Sequence, residues 1–75
     1  MIEKKIFLGN IDYINRFLNI VEEKPYDIEL TGGGKTVKGK TLMSILLLDL
    51  TKPVIMRAYC DKDVMLLRDI EEFTV

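Results

Sequence analysis

Apolar and polar residues alternate with a period of two at the start of the chain, and the period becomes helical after residue 10. The alternation over residues 2–8 predicts a first strand with one buried face. Apolar residues then recur at helical spacing over residues 11–23, which predicts an amphipathic helix. Asn10 and Asp12 are both suitable caps for its N-terminus. Pro25 ends the helix, because a residue before proline is disfavoured in the helical conformation.

The middle of the chain predicts a β-hairpin, and a further strand follows later. Residues 27–30 alternate again and predict a second strand, and Thr36-Val37 fits a short third strand. The glycines of residues 32–34 predict the turn between them, because glycine adopts positive φ without steric cost. Residues 54–59 are rich in strand formers and predict a fourth strand.

Two further helices complete the pattern. Thr41 is the expected N-cap of the second helix, which holds the apolar residues of 42–50 and cannot continue past Pro53. Asp61 or Asp63 is expected to cap the last helix. The predicted inner face of that helix consists of Val64, Leu67 and Ile70, followed by Phe73 or Val75. The order β-α-β-β-α-β-α predicts an α+β fold, with helices on one face of an antiparallel sheet.

Composition limits the classes of protein to which the chain can belong. Its 75 residues predict a single domain over 1–75, and 48% apolar residues suffice for one core. A net charge of −1 and a pI near 5.3 argue against nucleic acid as a partner. There is no apolar run of about 18 residues and no signal peptide, so we expect no membrane partner and a cytoplasmic location. Cys60 has no second cysteine to pair with and is expected to pack as a small apolar residue, although a reactive thiol is the alternative.

The chain offers little chemistry for an enzyme. It has no histidine, no cluster of metal ligands and no paired carboxylates with a reason to be buried together, so we expect no catalytic site, no metal and no cofactor. The glycines before Lys35 and Thr36 invite a phosphate-binding-loop interpretation. That motif requires another glycine at the position of Glu29 and a helix directly after the threonine, and the chain has neither.

The second helix is more apolar than a single buried face requires. Seven apolar residues fall within positions 42–50, whereas a buried stripe needs about three or four per two turns. Some of this set should therefore face outward: Leu42, Met43, Leu46 and Leu47. An exposed apolar patch on a small protein usually marks a partner site or a self-association site. The alternative is deeper burial of these side chains in a domain that needs them for its core.

Three short segments resemble HPr, the histidine phosphocarrier of the bacterial sugar phosphotransferase system. They are Gly-Lys-Thr-Val at 34–37, Lys-Thr-Leu-Met at 40–43 and Leu-Asp-Leu at 48–50. No insertion or deletion is needed from residue 10 to residue 50, although the first strand and the last helix look shorter than in HPr. The resemblance implies an HPr-like open-faced β-sandwich, in which three helices cover one face of a four-stranded antiparallel sheet.

The resemblance also places the functional positions of HPr on this chain. Asn10 falls where HPr has its phosphorylated histidine, and Asp12 falls where HPr has an arginine that steadies the phosphoryl group. An amide nitrogen has no basic lone pair, and a carboxylate at about 4–6 Å repels a phosphoryl group. Thr41 falls where many HPr proteins carry a regulatory serine, and Ser44 is a weaker candidate for that role. The chain therefore looks like a divergent HPr-like protein that lacks the phosphorylatable histidine.

Three functional hypotheses follow from this resemblance. The first is a non-catalytic binding or regulatory module of bacterial sugar transport, docked through the second helix to a phosphotransferase enzyme, an HPr kinase or a transcription regulator. The second is a phospho-switch protein that an HPr-kinase-like enzyme modifies at Thr41. The third is a structural module that dimerises through the second helix. Sequence leaves open whether the protein is a monomer or a homodimer.

Overall fold

The computed structural model describes residues 1–75 and contains a four-stranded antiparallel sheet with three α-helices. The predicted element order and the α+β class are confirmed. No helix has the length and apolar character required to cross a membrane. In chain order the elements are β1 (Ile2–Ile6), α1 (Ile11–Val21), β2 (Ile28–Gly32), β3 (Lys35–Lys38), α2 (Leu42–Ile45), β4 (Val54–Ala58), α3 (Val64–Asp69) and a final 3-10 helix (Glu71–Phe73).

The strands lie in the order β1-β4-β2-β3, and every neighbouring pair is antiparallel. One face of the sheet is apolar and packs against the helices. The other face is polar, and the charges alternate across its four strands in the aligned row Glu3, Arg57, Glu29 and Lys38. Opposite charges on facing positions favour this register, since cross-strand pairs stabilise a sheet.

The β2–β3 hairpin turns at two glycines, as the sequence predicts. Gly33 and Gly34 have φ of 56° and 79°, in the left-handed region that only glycine adopts readily. A two-residue turn of this kind matches the twist of the strands that it joins. The hydroxyls of Thr31 and Thr36, which face each other across the hairpin, are hydrogen-bonded at 2.8 Å.

The hydrophobic core draws on the sheet and on all three helices. From α1, Ile14, Phe17 and Val21 are buried on the face toward the sheet. The rings of Tyr13 and Phe17 pack edge-on against Phe73, with centroid separations of 5.2 Å and 6.2 Å. This packing joins the helix to the C-terminal end of the chain, and edge-on pairs stabilise beyond their burial alone.

The predicted inner face of the last helix is partly wrong. Ile70 and Phe73 are buried as predicted, and Leu67 is partly buried against the core. Val64 is 54% exposed, and the position that is buried in its place is Leu66. Helix α3 has only six residues, fewer than two turns, so the apolar pattern fits more than one helical phase. The buried residues Leu66, Ile70 and Phe73 are separated by four and three positions, and they define the helical face that packs against the core.

Candidate protein-binding surface

Asn10 holds the beginning of α1 in the manner that the sequence predicts. Its backbone is extended, with φ −144° and ψ 164°, and its side-chain oxygen accepts a hydrogen bond from the amide of Tyr13 at 2.9 Å. An asparagine cap of this kind stabilises a helix by about 1 kcal/mol over alanine. The Asn10 side-chain oxygen is therefore committed to a structural hydrogen bond.

Asp12 lies in the first turn of the same helix and is exposed. A carboxylate there interacts favourably with the helix dipole and with the free amides of the first turn. The same negative charge opposes the approach of a second anion. Asp12 therefore already places a negative charge at the end of α1 where the resemblance places a phosphoryl carrier.

Gly9, at the entrance to α1, lies in close contact with a side chain. A methyl group added to Gly9 would overlap the ring of Phe7. The half-buried Phe7 side chain folds back over the residue that precedes the cap. The sequence predicts only that the strand ends here, and it gives no signal for this contact.

Thr41 caps α2, as predicted. Its hydroxyl accepts a hydrogen bond from the amide of Ser44 at 3.4 Å and donates one to the Ser44 hydroxyl at 2.8 Å. Both candidate phosphorylation positions therefore belong to one small hydrogen-bonded cap. Thr41 is exposed and Ser44 is half-buried, so Thr41 is the more accessible of the two hydroxyls.

Helix α2 is shorter than the apolar run suggests. It spans four residues, and the amides of Leu47 and Leu48 donate to carbonyls three residues earlier, as in a tightened final turn. Beyond it the Asp49 side chain accepts hydrogen bonds from the amide of Thr51 at 3.1 Å and from its hydroxyl at 2.5 Å. The α-helix itself therefore ends at Ile45, before this aspartate turn and well before Pro53.

Most of the apolar side chains around α2 point away from the core. Ile45 is fully buried and Leu48 is 6% exposed, and these two anchor the segment. The outward set has exposures between 39% and 80%, and we call it the apolar α2 surface: Leu42, Met43, Leu46 and Leu47. Their separations of three and four residues place them side by side on one helical face.

The two positions that the resemblance marks for phosphoryl chemistry lie toward opposite ends of the sheet. Asn10 follows the end of β1, where Ile6 pairs with Val54. Thr41 follows the end of β3, where Lys38 pairs with Glu29 near the start of β2. Because the strands are antiparallel, these ends are separated by the length of the strands. The segment from α2 to β4 runs back between them, which places the apolar α2 surface along that path.

A polar cluster where the three helices meet is absent from the sequence predictions. The Lys40 ammonium donates to the carbonyl of Lys24 at 2.6 Å, which ties the start of α2 to the end of α1. The Lys24 ammonium lies 3.2 Å from the Asp63 carboxylate, and the Tyr26 hydroxyl donates to that carboxylate at 2.7 Å. The carboxylate also caps α3 by accepting from the amide of Leu66 at 3.0 Å. Asp63 therefore links the loop between α1 and β2 to the start of α3.

The pKa values of this cluster follow from its hydrogen bonds. The amide of Leu66, the Tyr26 hydroxyl and then the Lys24 ammonium lower the pKa of Asp63 to about 2. Partial burial, with the nearby Asp63 carboxylate, raises the pKa of Tyr26 well above its usual value. Asp63 is therefore ionised at neutral pH and Tyr26 remains a donor. No group of three or more acidic or cysteine side chains is arranged to hold a metal ion.

The comparisons with known proteins show the fold. The crystal structure of HPr-C-His from Thermoanaerobacter tengcongensis matches with a TM-score of 0.78 and 19% identity, over 96% of this chain and 89% of that chain. The fold is the HPr fold. No protein-family model and no curated protein matches the chain. This likeness shows the fold alone. The apolar α2 surface and the Thr41 cap are known from the exposures and hydrogen bonds of this chain.

Proposed function

We propose that this chain is a non-catalytic HPr-like protein, a regulatory or binding module related to the phosphotransferase system that docks to a protein through the apolar α2 surface. The observation that carries the proposal is that the apolar side chains around α2 fall into a buried set and an exposed set. Ile45 and Leu48 supply its packing, while four neighbouring aliphatic side chains stay in water. Exposed apolar side chains grouped in this way are typical of interaction sites.

The residues at the start of α1 support a binding role over a carrier role. The chain has no histidine, and Asn10 stands at the position that the resemblance assigns to the carrier histidine. Its side-chain oxygen is engaged with the amide of Tyr13, and Asp12 adds a negative charge in the same turn. A phosphoryl group would therefore meet neither a nucleophile nor a counter-charge there.

The size of the surface favours a small and transient complex. A standard protein interface involves about 20–30 residues on each side, far more than four side chains. Full burial of a leucine or methionine contributes about 1.5–3 kcal/mol, so these four can serve as the central anchors of a limited contact. Met43, the most exposed at 80%, can adapt its shape to different partners.

The test uses a matched pair of substitutions at exposed methionines on different helices. Met43→Gln removes the centre of the apolar α2 surface, whereas Met65→Gln makes the same change on α3, at a side chain that is 54% exposed. Binding to Enzyme I, HPr kinase and an HPr-recognising transcription regulator is titrated by calorimetry. We expect Met43→Gln to weaken the complex about tenfold, equivalent to about 1.4 kcal/mol, and Met65→Gln to leave it unchanged.

Two results would overturn the proposal. Equal weakening by both substitutions would mean that the contact does not involve α2. Formation of an acid-labile phosphoprotein with Enzyme I and phosphoenolpyruvate would mean that the chain is a phosphoryl carrier.

A second candidate function is regulation by phosphorylation at Thr41. The exposed hydroxyl directly precedes the apolar α2 surface and lines a cleft of about 110 Å³, whose charged residues are Lys38, Lys40, Asp27 and Glu29. A phosphate there adds nearly two negative charges to a cleft that holds two lysines and two carboxylates, and it replaces the hydroxyl that caps α2. Incubation with ATP and HPr kinase should add one phosphoryl group in the wild type and none in Thr41→Ala. An unmodified wild-type chain, or modification that leaves partner binding unchanged, would exclude the switch.

A further inference from the structure

Strand β3 is an edge of the sheet and has no neighbour on its outer side. The strand order places β1 and β3 at the two edges, and β3 pairs with β2 alone. The C-terminal residues cover the end of the β1 edge, where Ile6 forms a bridge to Thr74 and the amide of Val75 donates to the carbonyl of Lys5 at 3.0 Å. No segment of the chain pairs with the outer side of β3 in this way, so that edge is open to a further strand.

The register of the β2–β3 hairpin identifies the backbone groups that point outward. The amide of Gly39 donates to the carbonyl of Ile28 at 2.8 Å. Inward and outward backbone groups alternate along an antiparallel strand, so Val37 also bonds to β2, whereas Thr36 and Lys38 direct their N–H and C=O groups outward. Both of these residues are exposed. The edge therefore offers two backbone donors and two backbone acceptors.

The side chains of β3 indicate which kind of strand can bind there. Thr36 and Lys38 lie on the polar face of the sheet, and Lys38 ends the row in which charges alternate from Glu3 across the four strands. Val37 lies on the other face, half-buried against the core, and Lys35 is exposed on that face. Neither lysine forms an ion pair within the chain. A fifth strand that continued the alternation would place a carboxylate opposite Lys38.

Two carboxylates lie near Lys38, and both are on its inner side. Glu29 faces Lys38 from β2 and accepts a hydrogen bond from the Tyr59 hydroxyl, and Asp27 directly precedes β2. The ammonium of Lys40 is bonded to a backbone carbonyl in the loop after α1 and takes no part in the edge. The charged residues of β3 itself are both positive.

We propose that β3 binds an extended segment of another protein as a fifth, antiparallel strand, with an acidic residue opposite Lys38. In this mode of recognition, backbone hydrogen bonds give affinity and alternate side chains give specificity. On its inner side β3 pairs with Glu29, Leu30 and Thr31. The expected segment has the same order of an acidic, an apolar and a hydroxyl residue, followed by a second acidic residue opposite Lys35. A second copy of β3 is disfavoured as the occupant, because it would bring four lysines together.

This edge site goes beyond the proposed function and shares no residue with the apolar α2 surface. Met43→Gln should therefore leave binding at the edge unchanged. Failure of one proposal does not imply failure of the other.

The experiment is amide hydrogen exchange of the whole chain, followed by nuclear magnetic resonance, with a saturating amount of a capped peptide that contains Glu-Val-Thr-Glu. We expect exchange of the Thr36 and Lys38 amides to slow about tenfold, because both become hydrogen-bonded. The Val37 amide, which already bonds to β2, should change little. Two control peptides should have no effect: one contains Lys-Val-Thr-Lys, and the other is N-methylated at the residue opposite Lys38 and lacks that backbone donor.

A matched pair of lysine substitutions tests the charge. Lys38→Gln should weaken binding of the peptide about two- to fivefold, the effect of losing one cross-strand charge pair. Lys52→Gln makes the same change at an exposed lysine outside the sheet and should leave binding unchanged. Circular dichroism verifies that both variants are folded.

Three results would overturn the proposal. The first is exchange at Thr36 and Lys38 that does not slow at any concentration of the peptide. The second is equal slowing by either control peptide, which would exclude the charge pairing or the backbone pairing. The third is slowing of the same amides as the protein concentration alone rises, which would make a second copy the occupant.

Discussion

Two adjacent leucines test whether the apolar α2 surface is free for binding or is needed for folding. Leu47 is 63% exposed and Leu48 is 6% exposed. We expect Leu48→Ala to lower the free energy of unfolding by about 2–5 kcal/mol, because it removes buried methyl groups and leaves a cavity. Leu47→Ala should lower it by less than about 0.5 kcal/mol, as at other exposed positions. Both side chains lie beyond Ile45, the last residue of α2, so helix propensity does not enter the comparison.

Urea denaturation measures the difference directly. A chain of 75 residues is expected to have a free energy of unfolding of about 4–11 kcal/mol, from about 0.05–0.15 kcal/mol per residue. A loss of about 3 kcal/mol therefore removes a large part of the total stability. With an m-value of about 1 kcal/mol/M, it moves the unfolding midpoint by about 3 M urea. If Leu47→Ala shifted the midpoint as far as Leu48→Ala, the surface would be part of the core and the binding proposal would lose its basis.

Three further predictions concern stability. Gly9→Ala should destabilise the fold by no more than about 1 kcal/mol, because the methyl group overlaps only the outer end of the half-buried Phe7 ring, which can move aside. In a Phe7→Ala background the same substitution should have no effect, and an equal loss there would assign it to another contact. Gly34→Ala should lose about 1–2 kcal/mol, because φ is 79° there, and wild-type stability would show that the turn can relax. Hydrogen bonds in the native state lower the pKa of Asp63 from 3.8 to about 2, so its contribution to stability is present above pH 3.8 and is lost as the pH falls through 2. Asp63→Asn should remove this step from the acid unfolding curve. A step of the same size in both proteins would assign it to another carboxylate.

Local features of the fold were predictable from the sequence. Asn10, Thr41 and Asp63 cap their helices through hydrogen bonds to amides three residues away, so the neighbouring residues alone determine them. The turn at Gly33 and Gly34 is equally local, because positive φ at two successive positions requires residues of this kind. The order of the strands in the sheet was not predicted from the sequence pattern.

The features that the sequence did not predict depend on distant residues or on competing local bonds. Asp63 meets Tyr26 across 37 positions and its side chain contacts Lys24, and no spacing rule connects these residues. The end of α2 was misplaced because the amides of Leu47 and Leu48 bond to carbonyls three residues earlier, which ends the α-helix at Ile45 before Pro53 can act. The outward-facing residues around α2 were predictable, because this segment contains more apolar residues than one buried face can hold.

The central position of β4 has a consequence for the order in which the chain can fold. The β2–β3 hairpin pairs residues as close as Gly32 and Lys35, whereas β1 pairs with β4 across as many as 56 positions, from Ile2 to Ala58. Closing a long loop costs more entropy, and long-range pairing slows folding. During synthesis on the ribosome the hairpin can therefore form as soon as it emerges. The first strand, made earliest, keeps its apolar face unpaired until most of the chain has followed.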